Sequence, residues 1–192
     1  MSWLPSFGIG LWNAWILMLF YVLHPLILII VDKAVGTGGI YKKMGDIPTE
    51  KREKRNNTIA MGILFLLIVY SVFLPLKLGS IWFYAGLTIY LMGLLILFTT
   101  IVNIATTPIG QVFKKGMYRF SRHPGYFSMS ITLIGVSVAT ASWVFLLISM
   151  LYILLMISEV DLEERGCLKT YGDEYQEYMN RTPRWIGIPK SR

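Results

Sequence analysis

A chain of 192 residues that is 55% hydrophobic and only 15% charged, with a mean hydropathy of +0.57, has the composition of an integral membrane protein and not of a soluble domain. Its net charge of +7 comes from cations spread over several segments, which argues against a nucleic-acid-binding face. The single cysteine, Cys167, excludes an internal disulfide and a cysteine-based metal cluster, and no metal-ligand spacing occurs.

In chain order, the opening MSWLPSFGIG lacks a basic segment and a small-residue cleavage site, so it reads as the start of a retained first helix and not as a signal peptide. Apolar runs follow at Leu11–Val31, Ile59–Leu76 and Ile81–Ile104. Each is long enough to cross ~30 Å of hydrocarbon at ~1.5 Å per residue. Two shorter runs, Phe127–Thr140 and Trp143–Ile157, meet at ATAS, Ala139 to Ser142. Joined, they would form a helix of about 45 Å, too long for one span, so a helical hairpin is expected. The sequence thus predicts an all-α integral membrane protein with five transmembrane helices, the last two a hairpin, followed by a cytoplasmic helical segment. Residues 1–104 hold three helices and a basic loop over 32–58; residues 105–192 form the half that carries the chemistry.

Charge orients this bundle. Of the 18 Lys and Arg, 17 lie between Asp32 and Thr58, between Ala105 and Arg122, or after Ser158; Lys77 stands apart. With five spans these segments share one side, which the excess of Lys and Arg marks as cytoplasmic. The N-terminus is expected outside and the C-terminus inside, with the bilayer as the first partner.

The distinctive polar residues collect at that side. YRFSRHPGYF places Pro124 at the start of the fourth helix, where its missing N–H costs nothing. Arg119 and Arg122 read equally as snorkelling anchors, but His123 and Tyr126, three apart, share a helical face where an interfacial pocket would open. Glu159 and Glu163, four apart, share a face of the fifth helix, either solvated or around a cation. Tyr171, Tyr175 and Tyr178 form a stripe at helical spacing, an interfacial belt or a packing face. Asn103 bonds a neighbouring helix or lines a pocket. The GTGG stretch, Gly36 to Gly39, lacks a third glycine and reads as a loop. His24, before Pro25 in the first span, reads as a carbonyl-bonding residue.

The stretch GMYRFSRHPGYF, the hairpin, the Glu-Glu pair and YGDEYQEYMNRTP resemble the isoprenylcysteine carboxyl methyltransferase family, roughly from Asn103 to Pro183 and most closely its short five-span prokaryotic members. Phospholipid methyltransferases and the C-terminal part of some sterol reductases share the Arg-His-Pro-x-Tyr element. The resemblance implies S-adenosylmethionine (SAM) as methyl donor, enclosed by Gln111, Val112, Phe113, Tyr118, His123, Pro124, Gly125, Tyr126 and Glu163, with Asn103 where members carry a polar amide. Eukaryotic members place an arginine about one turn before the residue matching Glu163; here Glu159 stands there. Glu159, Arg122 and Arg184 are therefore the candidates for handling the acceptor. The implied substrate is the carboxylate of an isoprenylcysteine-like lipid-tailed molecule. The alternatives are a lipid or small-molecule N- or S-methyltransferase, an NADPH-dependent reductase of sterol-reductase type, and a membrane scaffold.

Overall fold

The computed structural model describes residues 8–36, 39–45 and 51–190. Most of the opening decapeptide, the centre of GTGG and part of the 32–58 loop lie outside the described residues. Seven α-helices occur among the described residues: α1 Trp15–Val35, α2 Ile40–Gly45, α3 Lys51–Val72, α4 Ile81–Thr106, α5 Pro124–Ala139, α6 Trp143–Tyr171 and α7 Asp173–Arg181. A 3-10 turn, Gly116–Arg119, precedes α5.

Local signals explain the boundaries. Ser80 and Ser142 cap α4 and α6, each hydroxyl accepting from a backbone N–H three residues on, at 3.2 Å. Pro124 opens α5 as expected. Gly172, at φ +55°, ends α6 and starts α7. Two helices outrun their apolar sequences. Helix α3 begins at Lys51, since Lys, Arg and Glu are good helix formers that need no burial. Helix α6 continues past Ile157 for almost four turns and carries Glu159, Glu163 and Glu164 on helical backbone.

Five helices run alternately between two ends of the bundle. At one end, Ala14 N–H donates to Leu74 O (2.9 Å) and Lys77 N–H to Ala139 O (3.2 Å), tying α1, α3 and the α5–α6 turn together. At the other end lie α2, the 107–123 segment, α7 and the tail. Helices α1, α3, α4 and α6 are long and apolar enough to cross a membrane. Helix α5, with 16 residues, spans only about 24 Å. Large apolar side chains such as Phe65, Leu95 and Leu154 face outward, as lipid-facing helices require. This is a multi-pass membrane protein.

The tightest seam is α4 against α5. A Cβ on Gly135 would come within 2.6 Å of Tyr90 N, and one on Gly86 within 2.6 Å of Gly135 O. Small residues let these backbones approach. Helix α1 joins the pair through hydroxyls: Tyr90 donates to Leu17 O (2.6 Å), and Tyr21 donates to Met129 O (3.0 Å) beside Thr132 Oγ1 (2.6 Å).

Candidate functional site

Where α3 begins and α4 ends, the helices leave a polar cavity of about 340 Å³. Helix α2 contributes Lys43, whose Nζ donates to the carbonyls of Ile104 (3.3 Å) and Ala105 (2.6 Å). These belong to the last turn of α4, where carbonyls lack helical partners and a cation is favoured. Helix α3 adds Glu53 and Asn57, the loop adds Val112, Phe113 and Tyr118, and α5 with its lead-in adds Arg122 and Tyr126. Helices α6 and α7 close it with Glu163, Cys167, Tyr171, Tyr175 and Tyr178.

A second cavity of about 200 Å³ adjoins the first, sharing Ile104, Tyr118, Arg122, Tyr126 and Glu163. Its other walls are largely apolar: Leu28 of α1, Leu97 and Ile101 of α4, and Met129 of α5, with His24, Thr100, His123 and Gly125.

Behind the shared wall lies a buried charge cluster centred on Glu164, whose side chain is only 4% exposed. Its Oε1 meets His123 Nε2 at 3.1 Å and Arg122 Nη2 at 3.3 Å; its Oε2 accepts from Arg184 Nη2 at 2.6 Å. Arg184 also reaches Asp161 at 2.9 Å. The other imidazole nitrogen of His123 lies 3.6 Å from Glu163 Oε2, within ion-pair range but too long for a hydrogen bond. The His123 backbone is held too, its N–H donating to Ser121 Oγ at 3.1 Å, while the Ser121 hydroxyl donates to Arg184 O at 3.3 Å. Arg122 N–H donates to Pro183 O (3.0 Å), so the tail is laced to the segment that enters α5.

Burial opposes protonation of His123, but Glu163 and Glu164 outweigh it and raise the imidazole above its ordinary value. Both ring nitrogens face carboxylates, which suits the doubly protonated ring. A group raised in the folded state stabilises fully below its unfolded value of about 6.5 and loses that contribution as pH climbs through the folded value. The melting temperature in detergent is therefore expected to fall as pH rises above about 6.5, and His123→Gln should flatten this slope. A wild-type slope unchanged in His123→Gln would refute the imidazolium. Burial raises the Tyr118 and Tyr178 phenols, helped at Tyr118 by Glu163 and opposed at Tyr178 by Arg122, so both stay neutral, and Tyr178 donates to Tyr118 O at 2.7 Å.

The residues singled out in the sequence fall into three groups. Val112, Phe113, Tyr118, Tyr126 and Glu163 line the polar cavity, and Arg122 joins them; His123 and Gly125 line the second cavity. Asn103, Gln111, Pro124 and Arg184 line neither. Asn103 donates to Thr99 O (2.7 Å), and its amide fills the space beside Gly116, where φ is +55°, so it buttresses the loop. Gln111 is exposed, Pro124 is buried at the start of α5, and Arg184 serves Glu164 from outside.

Glu159 requires a correction. The expectation that it faces an acceptor pocket beside Glu163 does not hold. Its side chain, 1% exposed, turns to α3, where Oε1 accepts from Asn56 Nδ2 at 2.6 Å and from Ser158 Oγ at 3.1 Å. Helix α3 reaches this level because it starts at Lys51, so the amide of Asn56 is available as a partner.

Sequence reasoning missed Lys43, Glu53 and Asn57, because no short-range pattern links them to residues fifty or more positions away. It also chose Glu163 over Glu164, although both matter in different ways. The tyrosine stripe is the signal that could have been pressed further: Tyr171, Tyr175 and Tyr178 all line the cavity.

Fold and site define an α-helical multi-pass membrane protein with paired polar and apolar cavities at one end of the bundle. The chain belongs to the DUF1295 family, described as a protein of unknown function, which it matches over residues 64–182. That match takes in α4 to α7 and leaves the Lys43, Glu53 and Asn57 wall outside it. No curated protein matches the chain.

Proposed function

We propose that this protein is a SAM-dependent methyltransferase acting at the cytoplasmic membrane surface, on the carboxylate of an isoprenylcysteine-like lipidated substrate. One observation carries the reading: a charged, aromatic cavity adjoins an apolar one, and Tyr118, Arg122, Tyr126 and Glu163 belong to both. A water-soluble cofactor and a lipid-tailed acceptor need such a pair of sites.

The donor set fits SAM. Tyrosine and Phe113 faces suit a sulfonium and an adenine. Lys43 suits the SAM carboxylate. Glu163 Oε2 is buried with no hydrogen bond to a described residue, which leaves it free to accept from a hydroxyl or ammonium. Bound SAM supplies an electrophilic methyl group. No general base is needed, because an acceptor carboxylate is already ionised near neutral pH. Arg122 is the cation available to orient that carboxylate; its Nε is buried and makes no hydrogen bond to a described residue. The apolar cavity takes the adjoining part of the lipid tail, and its walls keep water from the meeting point, which favours a reaction in which opposite charges neutralise. Glu159, bonded to Asn56, does not oppose an acceptor carboxylate. A second reading, methylation of a lipid or small-molecule amine, draws support from Glu53 and Glu163 in one cavity.

In this reading all five long helices cross the bilayer. Helix α5 is about 6 Å shorter than a ~30 Å hydrocarbon layer, a mismatch that local thinning of the bilayer absorbs. The excess of Lys and Arg puts its His123–Tyr126 end in the cytoplasm.

Calorimetry in detergent tests the cofactor. Glu163→Gln and Tyr126→Ala are each expected to weaken SAM binding about 10- to 150-fold, while His24→Ala stays near wild type. Saturable NADPH binding without SAM binding would instead indicate a reductase, and binding of neither a scaffold. In sealed vesicles, SAM should bind only from the cytoplasmic side; binding from outside alone would overturn the orientation. Methyl transfer to a panel of prenylcysteines and lipid amines, scored by base-labile methanol release, separates ester from amine acceptors.

A further inference from the structure

Tyr178 lines a second depression besides the polar cavity, a groove of about 330 Å³ open to the surface. Its walls carry four cations from separate parts of the chain: Lys114 of the loop, Arg119 of the 3-10 turn, Arg181 of α7 and Lys190 of the tail. A hydrogen bond from Lys190 N–H to Arg181 O (3.0 Å) holds the tail in place along one wall. Lys114 is paired with Glu174 (2.7 Å) and Arg181 with Glu177. Arg119 and Lys190 make no ion pair with a described residue, so among the described residues the groove carries two positive charges without a carboxylate partner.

The setting of the groove narrows the choice of ligand. Arg119 sits just before α5 begins, and Lys114 lies eight residues after α4 ends, so the groove is at the level where the apolar helices leave the bundle. Exposed apolar side chains flank the cations in sequence: Phe120 at 43%, Ile186 at 55% and Ile188 at 90%. Gly187 N–H donates to Phe120 O (3.0 Å), which brings these two apolar segments together. Cations beside exposed apolar side chains at this level suit a molecule with an anionic head and an acyl body.

We propose that this groove binds the phosphate headgroup of an anionic phospholipid, with Arg119 and Lys190 as its principal contacts and Phe120, Ile186 and Ile188 resting at the headgroup–acyl boundary. The site shares Tyr178 with the polar cavity but does not depend on the chemistry of either cavity.

Native mass spectrometry in detergent tests it, with short-chain phosphatidylglycerol, short-chain phosphatidylcholine and glycerol phosphate as probes. Phosphatidylglycerol is expected to bind the wild type more tightly than either of the others. Arg119→Gln/Lys190→Gln should weaken it about 30-fold, at roughly tenfold or less per cation removed, and leave phosphatidylcholine unchanged. Both side chains are exposed and make no ion pair with a described residue, so folding is not at stake. Lys54→Gln/Arg55→Gln removes the same charge from the exposed start of α3 and should alter phosphatidylglycerol affinity by less than about twofold. Three results would each overturn the proposal: full binding by the Arg119/Lys190 variant, an equal loss in the α3 variant, which indicates net charge alone, or glycerol phosphate binding as tightly as the lipid, which indicates a free-phosphate site.

Discussion

Glu164→Ala is expected to lower the free energy of unfolding by about 3–5 kcal/mol, because it removes the common partner of a buried charge cluster. Three cations converge on this carboxylate: His123, Arg122 and Arg184. The His123 and Arg122 side chains are themselves only 2% and 10% exposed, so neither gains solvent when the carboxylate is lost. Arg184 is partly exposed and retains Asp161, so its share of the cost is smaller. Glu164→Gln keeps the volume and one acceptor oxygen, and should fall between alanine and wild type. Thermal unfolding in detergent, followed by far-UV circular dichroism, measures both.

The neighbouring residue gives the contrast that makes this result specific. Glu163 opens to the cavity and meets one cation, His123 at 3.6 Å, where Glu164 meets three, so Glu163→Gln should cost clearly less stability than Glu164→Ala while, in the proposed reading, it weakens SAM binding. Equal melting temperatures for Glu164→Ala and wild type would show that the cluster does not hold the tail against the entrance to α5.

The two glutamates also show how far the sequence can be read. Successive residues on a helix point about 100° apart, so one of an adjacent pair can face the cavity and the other the tail. Which does which depends on His123, 41 positions earlier, and Arg184, 20 positions later, and no local pattern fixes those distances. Glu159 is the same problem at longer range: spacing put it on one face with Glu163, but Asn56, 103 positions away, claims it. The apolar runs were legible because lipid imposes their length and composition directly. Pro124 was legible because the first turn of a helix is where the missing N–H of proline costs nothing. Lys43 was not, because a lysine in a basic loop looks like any topology signal until the end of α4 is seen beside it.

The seam between α4 and α5 supplies the second large effect. Gly135→Leu is expected to destabilise the protein by about 3 kcal/mol or more, at or beyond the upper end for overpacking, because the clash is with backbone. A Cβ alone would lie 2.6 Å from Tyr90 N and 2.8 Å from Tyr90 Cα, atoms that cannot rotate away. The helices must part, and the cost includes the hydroxyl bonds that tie α1 to both of them, Tyr90 to Leu17 O and Tyr21 to Met129 O. Gly62 of α3 is the control: a Cβ there meets nothing within 4 Å, so Gly62→Ala should be neutral or stabilise by up to about 1 kcal/mol through its helix preference. The seam reaches the site because the second cavity lies between these helices, with Leu97 and Ile101 on α4 and Gly125 and Met129 on α5. Parting them should widen that cavity and loosen an apolar ligand before it disturbs the polar one. A Gly135→Leu protein that melts like wild type would mean that α4 and α5 do not meet in this register, and the apolar cavity would lose the two walls that define it.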